Sequence, residues 1–214
     1  MARVTPFELH REEYEDWFVK NKFAYQSELD ALREMAPKGK GIEIGAGSGL
    51  FAAPLGITFG VEPSLKMAQL AKKRGIKVVR GIGEQLPIRS GCFDFALMVT
   101  TVCFLDDIAA AFKETERILK PNGRFFIGFI DRESPIGREY EKFKQQSVFY
   151  RFADFYSVPE LIDYLQKAGF GDFRFKQTIF RLLPEIDSRE PVKDGWGQGS
   201  FVVIEAVKKG GLKS

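Results

Sequence analysis

The strongest constraint on this chain is a rhythm. Between residues 41 and 130, short apolar runs alternate with longer amphipathic ones. "GIEIG", "ITFGVE", "IKVVRG", "CFDFALMVT" and "FFIGFI" read as five successive strands. The fourth is apolar almost throughout, as a strand covered on both faces should be. "SLKMAQLAKKRG" reads as an amphipathic helix, with Ser64 placed to cap its start and Gly75 to stop it. "DDIAAAFKETERILK" reads as a second, with acids at its start and basic residues at its end. "SGLFAAPLG" predicts a brief helix stopped near Pro54, and "PNGR" predicts a turn before the fifth strand. Strands alternating with helices in this way specify an α/β fold built on a parallel, doubly wound sheet.

The flanks break the rhythm. Residues 11 to 35 carry apolar and aromatic residues at helical spacing, so one or two helices are expected before "PKGK" interrupts the pattern. After Ile130 the chain turns polar and aromatic through "DRESPIGREYEKFKQQSVFYRFADFY", which reads as a helical insertion. "SVPELIDYLQKAGF" is a further helix, with Ser157 at its N-cap, Pro159 in its first turn and Gly169 at its end. "DFRFKQTIF" and "GSFVVIEAVKK" are two closing strands, separated by a loop rich in proline and glycine. A single domain is expected, in four parts. Residues 1 to 36 form an N-terminal helical cap and residues 37 to 130 a binding core. Residues 131 to 156 form a helical lid insertion, and residues 157 to 214 a closing helix and strands.

Bulk properties narrow the function. The formal charge of +3 over 214 residues is too small to argue for nucleic acid. No apolar run approaches membrane-spanning length and the N-terminal stretch has no apolar signal core, so a cytoplasmic location is expected. Two cysteines, Cys92 and Cys103, do not make a disulfide framework. With His10 the only histidine, neither a histidine zinc site nor a Ser-His-Asp triad can be built, and no metal is expected. Phenylalanine is abundant, 21 residues, which points first to an aromatic core and second to an apolar pocket.

The turn after the first strand reads "GIEIGAGSG", with Gly45, Gly47 and Gly49 at alternate positions. A dinucleotide fingerprint needs G-x-G-x-x-G, and here its third glycine would fall on Leu50. Glycines in such a turn let backbone approach a ligand closely. The alternate spacing suits a loop running beside a ribose and an amino-acid moiety. Glu43, inside the strand, needs a cation or donors to justify its burial. Glu62, closing "GVE", stands where a strand-end acid can accept bonds from two ribose hydroxyls.

These residues, in this order, resemble the class I S-adenosylmethionine-dependent methyltransferases of the small-molecule type. "EIGAGSG" is similar to the family's cofactor loop, and "GVEPSLKMAQLAKKRG" to its acidic ribose segment and following helix. "VRGIGEQLPIRSGCFDFALMVTTVCFLDD" resembles the adenine-contact loop and fourth strand. "AFKETERILKPNGRFFIGFID" resembles the next helix, turn and strand, and "YEDWF…Y" the N-terminal cap. The resemblance covers nearly the whole chain. It implies a Rossmann-like, seven-stranded, mostly parallel sheet with an antiparallel last strand. It also implies S-adenosyl-L-methionine as cofactor, S-adenosyl-L-homocysteine as product, and a methyl acceptor as partner.

Carried over by position, the resemblance places Glu43, Gly45, Ala46, Gly47, Ser48 and Gly49 at the cofactor, with Gly45 and Gly47 along its methionine part. Glu62 would hold the ribose hydroxyls, and Pro63 and Met67 would flank the adenine. Gly83 and Glu84 would offer backbone at the adenine edge, and Thr100 would lie near the amino group or sulfonium. Three places depart from the family. Ile82 stands where many relatives have an Asp for the adenine amino group, and Cys103 and Phe104 stand where many have histidines. Pro121-Asn122-Gly123 replaces the usual Pro-Gly-Gly, a mild change because Asn tolerates left-handed backbone.

Methyl transfer from a sulfonium needs chiefly positioning and exclusion of water, with a base only when the acceptor is protonated. Tyr14, Tyr25, Asp131 and Tyr150 are the candidate bases, each with a competing structural or lid role. Of the N-terminal aromatics, Trp17 and Phe18 are expected to pack while Tyr14 and Tyr25 face the site. Cys103 is expected to pack behind the pocket and His10 to lie on the surface. Neither a Pro-Cys motif nor an Asn/Asp-Pro-Pro-Tyr motif is present. A small-molecule acceptor is therefore the leading expectation. An RNA or protein methyltransferase is one alternative, disfavoured by the small basic excess. A catalytically silent cofactor-binding protein is another, kept open by the missing histidines. A nicotinamide dehydrogenase is least favoured because the glycine spacing is wrong.

Overall fold

The structure is a computed structural model and describes residues 3–35 and 38–210. Three helices come first: α1 (Thr5–Leu9), α2 (Arg11–Lys20) and α3 (Lys22–Glu34). The region expected to hold one or two helices therefore holds two, and α1 precedes them. The core then runs β1 (Gly41–Ile44), β2 (Phe59–Val61), α4 (Leu65–Lys73), β3 (Lys77–Val79), β4 (Phe93–Val99), α5 (Ile108–Ile118) and β5 (Leu119–Ile130). It closes with α6 (Pro135–Phe143), α7 (Val158–Lys167), β6 (Phe170–Thr178), β7 (Lys193–Asp194) and β8 (Phe201–Lys208).

All eight strands form one sheet in the order β3-β2-β1-β4-β5-β8-β6-β7. From β3 to β5 every neighbouring pair is parallel. β8 enters antiparallel between β5 and β6. The sheet is thus the doubly wound, mostly parallel α/β sheet that the alternation specifies, with the last strand of the chain reversed. It has one strand more than the seven expected. The extra strand, β7, is two residues of the proline- and glycine-rich loop that pair with Lys176 and Gln177 at the sheet edge.

Local chemistry explains the helix ends. The Ser64 hydroxyl accepts from Met67 N (3.2 Å) at the start of α4, and Gly75 takes φ +87° beyond its end. Asp107 caps α5 through Ala110 N (2.9 Å). Ser134 caps α6 through Gly137 N (3.0 Å). Glu160 accepts from Ser157 N (2.8 Å) in the capping box of α7.

Two local expectations are corrected. The helix expected over "SGLFAAPLG" is only a single 3-10 turn at Ala53–Leu55, ended by Gly56 at φ +71°. Pro54 has no N–H to extend it. The turn expected at "PNGR" is a bulge inside β5. Leu119 pairs with Phe93 and Arg124 with Phe95, so extra residues loop out on the β5 side. Asn122 takes φ +60° there, which suits its tolerance of left-handed backbone.

The helices lie in two layers. On one face of the sheet, α5 and α7 bury Phe112, Ile118 and Leu165 against Phe125, Phe170 and Ile204. On the other, α3 and α4 bury Leu32 and Ala71 with Leu97, Phe126 and Phe201. Phe112, Phe125, Phe126, Phe170 and Phe201 are fully buried, so much of the abundant phenylalanine is core. Among the described residues, no helix is long and apolar enough to cross a membrane.

Candidate active site

The ends of β1, β2, β3, β4 and β5 converge on a cavity of about 200 Å³ open to the centres of water molecules. This is the carboxyl edge of the sheet, where doubly wound folds bind ligands. Its floor is laid by Gly45 and Gly47 after β1, Glu62 after β2, Gly81 to Glu84 after β3, and Thr100 after β4. Its roof comes from outside the core: Phe7, Tyr14 and Trp17 of the N-terminal helices, and Ile136, Tyr140 and Tyr150 beyond β5.

The loop after β1 is held open by backbone. Gly45 N and Ala46 N both donate to Val61 O (2.9 and 3.0 Å). Gly45 has φ +72°, and a Cβ there would lie 2.4 Å from Thr101 Cγ2. Gly47 has φ +52°, and a Cβ there would face the Tyr14 hydroxyl at 3.2 Å. Both glycines are thus required, one by crowding and one because its open side is cavity wall. Gly49 serves differently. Its missing side chain lets α4 pack close, since a Cβ would meet Ala71 Cα at 3.3 Å.

Glu62 joins this loop to α4. Oε2 accepts from Gly47 N and Oε1 from Ser64 N, each at 2.8 Å. Burial pushes its carboxyl up to about 7, against the lowering pull of those two donors. Each oxygen has capacity for a second bond. Pro63, Met67, Ile82 and Leu105 supply apolar wall beside it. Glu84 also lines the cavity, and its Oε1 accepts from Asp106 N at 2.8 Å. Thr100 sits at φ +50°, an unusual conformation for a threonine, with its N–H given to Gly128 O (2.8 Å).

The structure thus brings Gly45, Gly47, Glu62, Pro63, Met67, Gly83, Glu84 and Thr100 to one wall. It does not bring Glu43, Ala46, Ser48 or Gly49 there. Ala46 packs where a Gly60 side chain would be, and Ser48 Oγ is buried without a partner. Glu43 lies behind the loop, nearly fully buried. Burial raises its carboxyl well above the usual range, and the Ala52 N–H counters in part. Its burial was expected to need a cation or donors. The Ala52 N–H is one donor, and no cation stands beside it among the described residues. The neighbouring acid Glu62 raises it further, and Oε2 has no partner among the described residues.

Of the four candidate bases, Tyr14 and Tyr150 reach the cavity. Burial pushes both hydroxyls above the ordinary value for a phenol, so neither is tuned to take a proton at neutral pH. Tyr150 stacks on Tyr140 with centroids 4.8 Å apart. Asp131 is not in the wall. Its Oδ1 accepts from Glu133 N (3.1 Å) and its carbonyl from Ser134 N (3.0 Å), forming the turn into α6.

Tyr25 also points elsewhere, because its hydroxyl donates to Leu50 O and its ring packs on Phe18 and Phe51. Trp17 and Phe18 pack as expected, Phe18 in the core and Trp17 against it, and both also reach the cavity. A Tyr25→Phe variant should lose about 1 kcal/mol of stability with the hydrogen bond. Its affinity for S-adenosylhomocysteine should be unchanged; thermal melts and calorimetry check the pair. Cys103 is buried beside the cavity, and burial pushes its thiol up to about 12, which leaves no thiolate for nucleophilic work. His10 Nδ1 lies 2.8 Å from Glu13 Oε1 at the surface.

One wall residue escaped the sequence reading. Glu28 of α3 lines the cavity, is only 4% exposed, and has no hydrogen bond or ion pair among the described residues. Burial alone pushes its carboxyl up to about 8. Its sequence signal is position. Ala24, Leu29, Ala31 and Leu32 form the buried stripe of α3, and Glu28 stands inside that stripe.

A doubly wound sheet with an acid at the end of β2, bonded across to a glycine loop after β1, defines a nucleoside-binding class of Rossmann-like enzymes. Comparison with known proteins narrows the class. The family model "Methyltransferase domain" matches residues 42–127. A crystal structure from Thermotoga maritima, described as an S-adenosylmethionine-dependent methyltransferase and possible histamine N-methyltransferase, is 52% identical. It covers 96% of this chain and 100% of that one, with a TM-score of 0.95. An uncharacterised protein of Methanocaldococcus jannaschii is 45% identical over 96% of this chain and its own whole length. A phosphoethanolamine N-methyltransferase from Haemonchus contortus, solved with S-adenosylhomocysteine, shares the fold at 16% identity and a TM-score of 0.61. It covers 86% of this chain and 52% of that one. The chain belongs to the class I S-adenosylmethionine-dependent methyltransferases.

Proposed function

We propose that this chain binds S-adenosylmethionine along the floor of the cavity and methylates a small organic molecule beneath the roof. The observation that carries the reading is Glu62. A buried carboxylate bonded to Gly47 N and Ser64 N has spare acceptor capacity on both oxygens and faces the cavity. That suits a vicinal diol. The side-chain-free wall at Gly47 suits a ligand lying flat along backbone, and the slot of Pro63, Met67 and Ile82 suits a planar base. The residues fit the cofactor.

When bound, S-adenosylmethionine supplies a methyl group on a positively charged sulfur with a neutral thioether as leaving group. The chain has three tasks. Gly45 and Gly47 leave room for close approach, Glu62 fixes the long axis of the ligand, and the aromatic roof keeps water from the reacting atoms. The cavity under the roof has room for a small acceptor. The Thermotoga maritima relative, a possible histamine N-methyltransferase, agrees with an acceptor of that size.

Isothermal titration with S-adenosylmethionine and S-adenosylhomocysteine tests the binding half, with micromolar affinity expected and no heat overturning it. Transfer of a labelled methyl group into a fractionated metabolite extract tests turnover. Binding without transfer to any fraction would favour a cofactor-binding protein that has lost catalysis.

A further inference from the structure

We propose that the acceptor is an amine that enters the cavity as an ammonium ion, and that the Glu28 carboxylate receives it and takes its proton. The proposal deepens the methyltransferase reading and rests on it. Four acids line the cavity, and three are occupied. Glu62 and Glu84 accept backbone N–H groups, and Glu13 meets His10. Arg3, a cation in the wall, is bound to Asp154 (2.7 Å) and the Phe152 carbonyl. Glu28 alone among these acids faces the cavity with both oxygens unengaged by the described residues.

Such a group is costly. An ionised carboxylate out of water is disfavoured unless a cation or donors compensate it. Among the described residues no side chain supplies that cation, so the empty site holds Glu28 largely as the neutral acid near pH 7, and an incoming ammonium is the partner that would let it ionise. The surroundings favour a cation of one kind. Trp17, Phe18, Tyr140 and Tyr150 line the same cavity. Aromatic faces attract ammonium groups and add apolar contact for the carbon skeleton. Burial and then the Glu28 charge push the Tyr140 hydroxyl up, which places the carboxylate near that ring. Tyr14, Tyr25 and Tyr150 also feel its charge, and Glu43 lies behind Tyr14 and Tyr25. Pairing with the ammonium releases the Glu28 proton to solvent, and because burial otherwise holds this carboxyl at about 8, the resulting carboxylate is basic enough to take a proton from that ammonium.

The step balances. The ammonium passes one proton to the Glu28 carboxylate, which frees the nitrogen lone pair. That pair forms the new N–C bond to the sulfonium methyl, and the C–S pair stays on sulfur as a neutral thioether. The methylated nitrogen leaves with the positive charge, and the Glu28 proton returns to solvent.

The test uses the full chain saturated with S-adenosylhomocysteine. Histamine, 2-phenylethylamine and other primary and secondary amines are titrated by calorimetry beside alcohols of matching shape, with labelled methyl transfer from S-adenosylmethionine in parallel. At least one amine should bind tenfold or more tighter than its alcohol and become methylated. Glu28→Gln should lose at least tenfold in amine binding and a hundredfold in transfer, with S-adenosylhomocysteine affinity unchanged. Glu28→Asp should recover part of the amine binding. Equal binding of amine and alcohol by the unmodified protein, an unaltered Glu28→Gln variant, or no amine bound by protein that holds S-adenosylhomocysteine would each overturn the proposal. Failure to bind S-adenosylhomocysteine would instead overturn the methyltransferase reading, and this proposal with it.

Discussion

Glu62→Gln is expected to weaken S-adenosylhomocysteine binding by at least about a hundredfold. Two charge-assisted hydrogen bonds to a diol contribute about 1.5–3 kcal/mol each. The amide keeps one acceptor oxygen but turns an N–H₂ toward Gly47 N or Ser64 N, where the carboxylate accepts both N–H groups at 2.8 Å. The same variant has a second, opposite effect on the empty protein. Burial holds the Glu62 carboxyl at about 7, above its ordinary value of 4.5. A raised folded value means that the group stabilises the fold most below pH 4.5, and that this contribution disappears as pH rises through 7. The difference amounts to about 3 kcal/mol. Glutamine has no such dependence. Thermal melts of the empty protein should therefore show the variant gaining on the parent between pH 5 and pH 8. Calorimetry at pH 7.5 checks the loss of binding. A variant that bound normally would remove the diol role from Glu62.

Gly137→Ala should disable the roof and spare the floor. Gly137 lies in the first turn of α6, where the helix closes on the turn leaving β5. A Cβ there would sit 2.0 Å from Asp131 O and 2.8 Å from Arg132 Cα, and both neighbours are backbone. Neither can swing away as a side chain would. The helix must shift, carrying the buried Ile136 and the cavity-lining Tyr140 with it. Overpacking of this kind costs about 1–3 kcal/mol. Methyl transfer should fall at least a hundredfold, because a 1 Å misplacement can remove that much rate. Affinity for S-adenosylhomocysteine should change less than fivefold. A radiolabel assay and calorimetry on the same preparation separate the two effects.

Legibility in the sequence followed physical strength of signal. β1, β2, β4 and β5 are near-continuous apolar runs because helices cover both faces of the sheet, so their existence and order could be read directly. The caps Ser64 and Ser157 were equally plain, since each is a short polar residue before an apolar periodic run. β7 was not legible: two exposed residues have no pattern, and only the edge of β6 makes them a strand. The bulge at Lys120 to Gly123 carries the residues of an ordinary turn, and its place inside a strand depends on pairing with β4. At the site, the β1 loop and Glu62 were readable because local spacing fixes them. Orientation on a helix was harder. Tyr25 turns away from the site because Leu50 O, distant in sequence, captures its hydroxyl. Glu28 was hidden in a charged segment, although its place in the buried stripe of α3 was there to be noticed.

The position of β8 has a consequence for how the molecule is made. It lies between β5 and β6 and pairs with Arg124 to Ile130 on one side and with Phe170 to Thr178 on the other. During synthesis, both of those strands emerge from the ribosome before the strand that joins them. Until residues 201–208 arrive, each presents an open row of backbone donors and acceptors with three phenylalanines along it. Stalled or truncated chains ending before Phe201 are therefore the species most exposed to intermolecular strand pairing. The chain carries its own plug, and that plug is the last of its eight strands to be translated.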